Sequence, residues 1–96
     1  MNQYILEAVI SELDVLRFTP AGIPIQDLVL EHSSEVIEAG QPRKVQVTLR
    51  ARAVGQLAYE LEKRVPGDTV EIKGFIAQGR KDTFQICFHI QAWRLR

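Results

Sequence analysis

Lys44, Gln46, Thr48, Arg50 and Arg52 fall on every second residue of one stretch, with Val45, Val47, Leu49, Ala51 and Ala53 between them. Cations and hydrogen-bond donors set along one side of an extended chain suit a row of phosphates or the edges of bases. Arg43 stands just before this run, Arg17 precedes a proline-rich segment, and Arg80 and Lys81 lie together in Gln78-Gly79-Arg80-Lys81-Asp82. The same alternation also describes a strand whose outer side is simply kept soluble, so residue types alone leave both readings open.

Other chemistry has less to build on. The chain has no nucleophile elbow, no phosphate-cradling Gly-Lys loop and no carboxylate pair in a setting that would shift its pKa. Cys87 is the sole cysteine, which excludes an internal disulfide, and with His32 and His89 it supplies too few ligands for a structural zinc site. Cys87 and His89 share a strand parity, but no further ligand accompanies them. Glu35 and Glu38 read as solvated charges. The expectation is a binding protein rather than an enzyme, with no metal and no cofactor.

Charge sharpens this. The 96 residues carry 12 basic and 12 acidic side chains, a neutral total that argues against a nucleic-acid partner at face value. The distribution is uneven: residues 1–40 hold one basic residue against seven acidic, and residues 41–96 hold eleven against five. A neutral total therefore conceals a polarised chain. Hydrophobic residues make up 46% and charged ones 25%, ordinary for a globular domain, and this length allows one core, so residues 1–96 are read as a single domain. No apolar run approaches the ~20 residues of a membrane span. The segment Met-Asn-Gln-Tyr-Ile-Leu-Glu lacks a secretory pattern. A cytoplasmic protein is expected.

The elements that must position the cations follow from periodicity. Tyr4 to Phe18 alternates, with Leu6, Ala8 and Ile10 on one parity and Leu13 and Val15 on the other, which predicts a long strand with a bulge. Thr19-Pro20-Ala21-Gly22-Ile23-Pro24 is strong turn chemistry and predicts a hairpin. Ile25 to His32 reads as a second strand and Ser33 to Pro42 as an exposed loop. The alternating run from Lys44 is a third strand with one wet, basic face and one buried face. Val54, Leu57, Ala58, Leu61 and Val65 then fall at helical spacing until Pro66-Gly67 stops the helix. Val70, Ile72, Gly74 and Ile76 mark a fourth strand, and Phe84, Ile86, Phe88, Ile90 and Ala92 a fifth. Phe75 falls on the outward parity, where a base or, more commonly, a protein surface covers an aromatic. Trp93, near the chain end, is expected to cap a core or an interface.

Three strands, one short helix and two strands, without helices for parallel crossovers, fit an all-β OB-fold: a five-stranded Greek-key barrel with the helix closing one end. In such a barrel the ligand surface is the exposed face of strands two and three. That assigns Lys44, Gln46, Thr48 and Arg50 to it, with Arg52 as the member nearest the strand end and Arg17, before the first turn, expected to border the same groove.

Thr19-Pro20-Ala21-Gly22-Ile23-Pro24, followed by Leu28-Val29-Leu30-Glu31-His32 and then Glu38-Ala39-Gly40, resembles the PriB family, primosomal replication protein N. Gly55 at the helix start and Pro66-Gly67-Asp68 leading into Val70-Glu71-Ile72-Lys73-Gly74-Phe75-Ile76 are similar both to PriB and to bacterial single-stranded DNA-binding proteins (SSB). SSB proteins continue beyond the barrel into a linker and an acidic tip, whereas this chain stops at Arg96, which favours PriB. The resemblance implies a homodimer that binds single-stranded DNA and helps a primosomal helicase and other restart proteins reload replication at stalled forks, nucleoid-associated in the bacterial cytoplasm. It also implies that Arg43 is a DNA contact and that Arg80 and Lys81 represent a shortened basic loop. Gln41 and Gln46 stand where family members carry aromatic residues. That departure supports an alternative, a protein-interaction adaptor of the primosome with weak or no DNA binding.

Overall fold

Strands that bury every second side chain cover both edges of their sheet most economically by closing on themselves, and this chain does so. A computed structural model describes residues 1–79 and 84–96. Its elements are β1 (Tyr4–Leu13), β2 (Arg17–Phe18), β3 (Pro24–Glu38), β4 (Gln41–Val54), α1 (Gln56–Glu62), β5 (Thr69–Gln78) and β6 (Ile86–Leu95). The sheet runs β1-β5-β6-β4-β3, with β1 returning to β3 to close the five-stranded barrel and the two-residue β2 appended to β3. The β4–β6 pairing is parallel and the others are antiparallel. The OB-fold barrel expected from the order of elements is the fold observed.

β1 serves two neighbours. Tyr4–Val9 pairs with β5 and Val9–Leu13 with β3, with a register shift between Ile10 and Glu12. This is the bulge that the switch of parity predicts. The core takes alternate residues from all five barrel strands: Ala8 and Ile10, Leu28 and Leu30, Ala51 and Ala53, Val70 and Ile72, Phe88 and Ile90. Leu61 of α1 closes one end of this interior. Fully burying a side chain of leucine or isoleucine size contributes about 1.5–3 kcal/mol. α1 is shorter than its apolar spacing suggests, because Val54 still belongs to β4 and Val65 lies exposed beyond the helix. Trp93 holds it in place: the indole packs against the core, its Nε1–H donates to Glu60 Oε1 at 3.0 Å, and the Arg64 guanidinium lies 5.5 Å from the ring centroid.

The strand read over Tyr4 to Phe18 ends at Leu13: Val15 is 88% exposed outside it, and Arg17–Phe18 forms the separate β2. Two further stretches differ from the sequence reading. Residues 33–42 are not a loop. β3 and β4 pair without a break from Ile25↔Val54 to Glu38↔Gln41, joined by Ala39 and Gly40 alone. Ala39 has φ +52° and Gly40 φ +76°, as a type I′ turn requires at both central positions. Beyond Glu31, the last β3 residue paired with β1, these strands form a two-stranded ribbon extending from the barrel. The buried face predicted for the third strand is accordingly confined to its second half: Ala51 and Ala53 are buried, whereas Val47 is 43% exposed.

The second difference is in β6. A register shift opposite Lys73 and Gly74 passes over Gln91, so Trp93 turns inward where simple alternation would bury Ala92. Phe84 precedes the strand and is fully exposed.

The ribbon has one locally unfavourable residue. An L-residue other than glycine or asparagine is disfavoured at Ala39's backbone angles, so Ala39→Asn should stabilise the turn by about 0.5–1 kcal/mol. Amide exchange in residues 33–46 would then slow roughly two- to fivefold, with little change in the barrel. Unchanged exchange would show that the turn does not limit ribbon opening.

Candidate nucleic-acid interface

The β3–β4 register sets out the wet face residue by residue: Lys44 opposite Glu35, Gln46 opposite Ser33, Thr48 opposite Glu31, Arg50 opposite Val29 and Arg52 opposite Asp27. Lys44, Gln46, Thr48 and Arg50 are exposed and Arg52 is half-buried. Neither Lys44 nor Arg50 forms an ion pair with another described residue. Glu31 and Glu35 share the face, so its cations are interleaved with anions rather than forming a uniform stripe.

Arg43 sits within β4, not in a loop, and its parity places it on the other side of the ribbon. There its Nη1 donates to Glu38 Oε1 at 2.6 Å. Both side chains are more than half exposed, so this pair contributes about 0–1 kcal/mol and can readily be exchanged. Gln41 shares that side with Arg43, whereas Gln46 lies on the side of Lys44. The two glutamines therefore occupy opposite faces.

At the barrel end of the strand two arginines meet one carboxylate. Arg17 donates from Nε and Nη2 to Asp27 Oδ2 at 3.1 and 2.9 Å, and Arg52 donates from Nε to Oδ1 at 2.7 Å. Burial pushes the Asp27 carboxyl upward, but the hydrogen bonds from Arg52 and Arg17 outweigh it and hold the group below its ordinary value. The Asp27 hydrogen bond likewise raises the Arg52 pKa. Buried Gln26 fixes the backbone beneath: its Nε2 donates to Asp14 O at 2.6 Å and Asp27 O at 3.0 Å, tying the link between β1 and β2 to β3. That tie sets Arg17 beside Asp27.

Two clefts flank the wet face. One, of about 450 Å³, lies between β1 and the base of the ribbon. Gln46 and Thr48 line it, but so do Glu7 and Glu31, which disfavour a phosphate. His32 crosses it: Nδ1–H donates to Glu7 O at 2.6 Å and Nε2 accepts from the Ser34 hydroxyl at 2.9 Å. His32 thus links β1 to β3 just where their backbone pairing stops. The other cleft, of about 490 Å³, has Arg50, Arg52 and Asp27 on one wall and Gly79, Gln85 and Ile86 on the other. This second groove is the one with the electrostatics for phosphates, and it borders the β5–β6 connection. Arg80 and Lys81 belong to that connection and lie outside the described residues.

Aromatic groups are displaced from the ribbon. Phe75 is half-buried and stacks on His89, with ring centroids 4.8 Å apart and planes 7° from parallel. His89 has its pKa lowered, by burial first and then by Arg52. Burial also raises the Cys87 thiol pKa, disfavouring the thiolate. Among the described residues no group of three or more His, Cys, Asp or Glu is placed to hold a metal ion, and no helix is long and apolar enough to cross a membrane.

A closed five-stranded barrel with one end-plugging helix defines an OB-fold, and its third barrel strand brings Arg50 and Arg52 to one groove. Residues 2–92 match the family described as "Another single-strand binding protein family". The chain is 43% identical over 94 residues to the Replication restart protein PriB of Bordetella pertussis, covering 98% of this chain and 88% of that protein. It superposes on the PriB structure from Ralstonia solanacearum with a TM-score of 0.90 at 33% identity, covering 99% of this chain and 97% of that one. The wild-type single-stranded DNA-binding protein from Thermus aquaticus matches with a TM-score of 0.79 at 25% identity, over 100% of this chain and 50% of that one. The chain belongs to the PriB family.

Proposed function

We propose that this chain binds single-stranded DNA as an accessory protein of the replication-restart primosome, assisting helicase loading at stalled forks without catalysing a reaction itself. The observation that carries the reading is the outward row from Lys44 to Arg50, running into a groove lined by Arg50 and Arg52 on a barrel of the single-strand-binding class. Lys44, Arg50, Arg80 and Lys81 meet phosphates, and Gln46 and Thr48 donate to phosphate or base edges. Arg17 and Arg43 contribute the guanidinium edges their carboxylate partners leave free. The restart role, with a helicase and other restart proteins as partners in the cytoplasm, is supported by relatives bearing the name Replication restart protein PriB.

A homodimer is part of the proposal. Over Tyr4–Ala8, β1 has β5 on one side and no described strand on the other, and Ile5 is 66% exposed, so this edge suits pairing with a second copy. Sedimentation at micromolar concentration should give twice the chain mass.

The decisive experiment is fluorescence anisotropy with a labelled oligonucleotide across a salt series. Micromolar or tighter binding to single strands, weaker binding to duplex and a falling affinity with salt are expected. No binding at low salt would favour the adaptor reading, to which Gln41, Gln46 and the interleaved Glu31 and Glu35 would then belong.

A further inference from the structure

Asp27 is an anion set between two arginines beside the groove. Its two oxygens take three hydrogen bonds from Arg17 and Arg52, and it lines the same groove as Arg50. Both arginines keep part of their side chains accessible, 49% for Arg17 and 37% for half-buried Arg52, so burial alone does not keep them from a ligand. What restrains them is a fixed anion that holds two N–H groups of Arg17 and one of Arg52 and sets where both guanidinium groups point. Any phosphate entering the groove must compete with that carboxylate and approach its negative charge.

We propose that Asp27 acts as a built-in competitor of the phosphate backbone, holding Arg52 in the groove, and Arg17 beside it, in reserve so that single-stranded DNA is gripped less tightly than these cations would allow. This rests on the DNA-binding reading above. It assigns Asp27 an affinity-setting role toward the ligand, distinct from the direct contacts of Lys44 and Arg50. A moderated grip suits a protein that must release DNA to a partner.

The test is Asp27→Asn, which keeps the side-chain shape and removes the charge. With a single-stranded oligonucleotide near 0.1 M salt, freeing one or two arginines should tighten binding about 5- to 25-fold and steepen the log–log salt slope by about 0.7–1.4, since each single-strand phosphate contact contributes roughly 0.7 to that slope. Equal or weaker binding by a folded Asp27→Asn protein, with the wild type binding normally, would overturn the proposal and leave the DNA reading standing. Absence of binding by both proteins at low salt would overturn the DNA reading, and this inference with it. If Asp27→Asn does not fold, Arg52→Ala, which removes the restrained arginine that lines the groove, decides the question in the otherwise native chain. A restrained arginine should cost less than about twofold in affinity, whereas a cost of about fivefold, equal to that of a free contact, would overturn the restraint.

Discussion

Replacing Lys44 and Arg50 together with alanine is expected to weaken single-stranded DNA binding about 25-fold near 0.1 M salt and to flatten the log–log salt slope by about 1.4, the loss of two phosphate contacts. These two are chosen because they are exposed on the same face of β4 and neither is committed to an ion pair with another described residue. Nothing in the barrel interior depends on them, so the melting midpoint should change by the equivalent of no more than about 0.5 kcal/mol. A salt titration by anisotropy, beside a thermal melt, reads both quantities. A doubly substituted protein with wild-type affinity and slope would remove the outer face of β4 from the DNA path.

Gly74→Ala should have the largest effect on stability. A Cβ built at Gly74 would lie 1.8 Å from the His89 carbonyl oxygen, 2.9 Å from the His89 carbonyl carbon and 3.0 Å from Phe88 Cε1. The obstruction is mostly backbone of the paired strand, at the register shift where Gly74 faces Ile90. A flexible side chain could swing aside, but β6 can make room only by giving up part of its ladder to β5. The cost is put at about 3 kcal/mol or more, at the upper end for overpacking, which in a domain of this size lowers the melting temperature by roughly 12–24 °C. Gly79→Ala is the control: no described atom lies within 4 Å of where its methyl group would stand, and its effect should stay within about 0.5 kcal/mol. Equal behaviour of the two variants would mean that β6 can shift freely against β5.

Much of the barrel could be read from periodicity because its strands alternate cleanly where they bury a face. Ile10 against Leu13 exposed the bulge in β1, and Ala58 with Leu61 exposed the plugging helix. The ribbon was hidden for a physical reason. Its residues bury nothing on either side, so no alternation marks Ser33 to Pro42 as extended, and Ala39 conceals the turn that asparagine or aspartate before Gly40 would have announced. That one turn would have fixed every cross-strand pair of β3 and β4, Asp27 opposite Arg52 included. With the turn unread, the cations were legible as types and Asp27 was not legible as their partner. The displacement of Trp93 was equally hidden, since a bulge on β6 reverses parity without any change in composition.

The ribbon and the barrel answer to different demands. Residues 33–46 pair with one another and leave the core to others, so replacements on their side chains are buffered from the free energy of folding. Changes at exposed positions such as 41 and 46 should therefore leave the scaffold that presents this arm intact. Ligand contacts on this arm can thus be altered at little thermodynamic risk to the rest of the molecule.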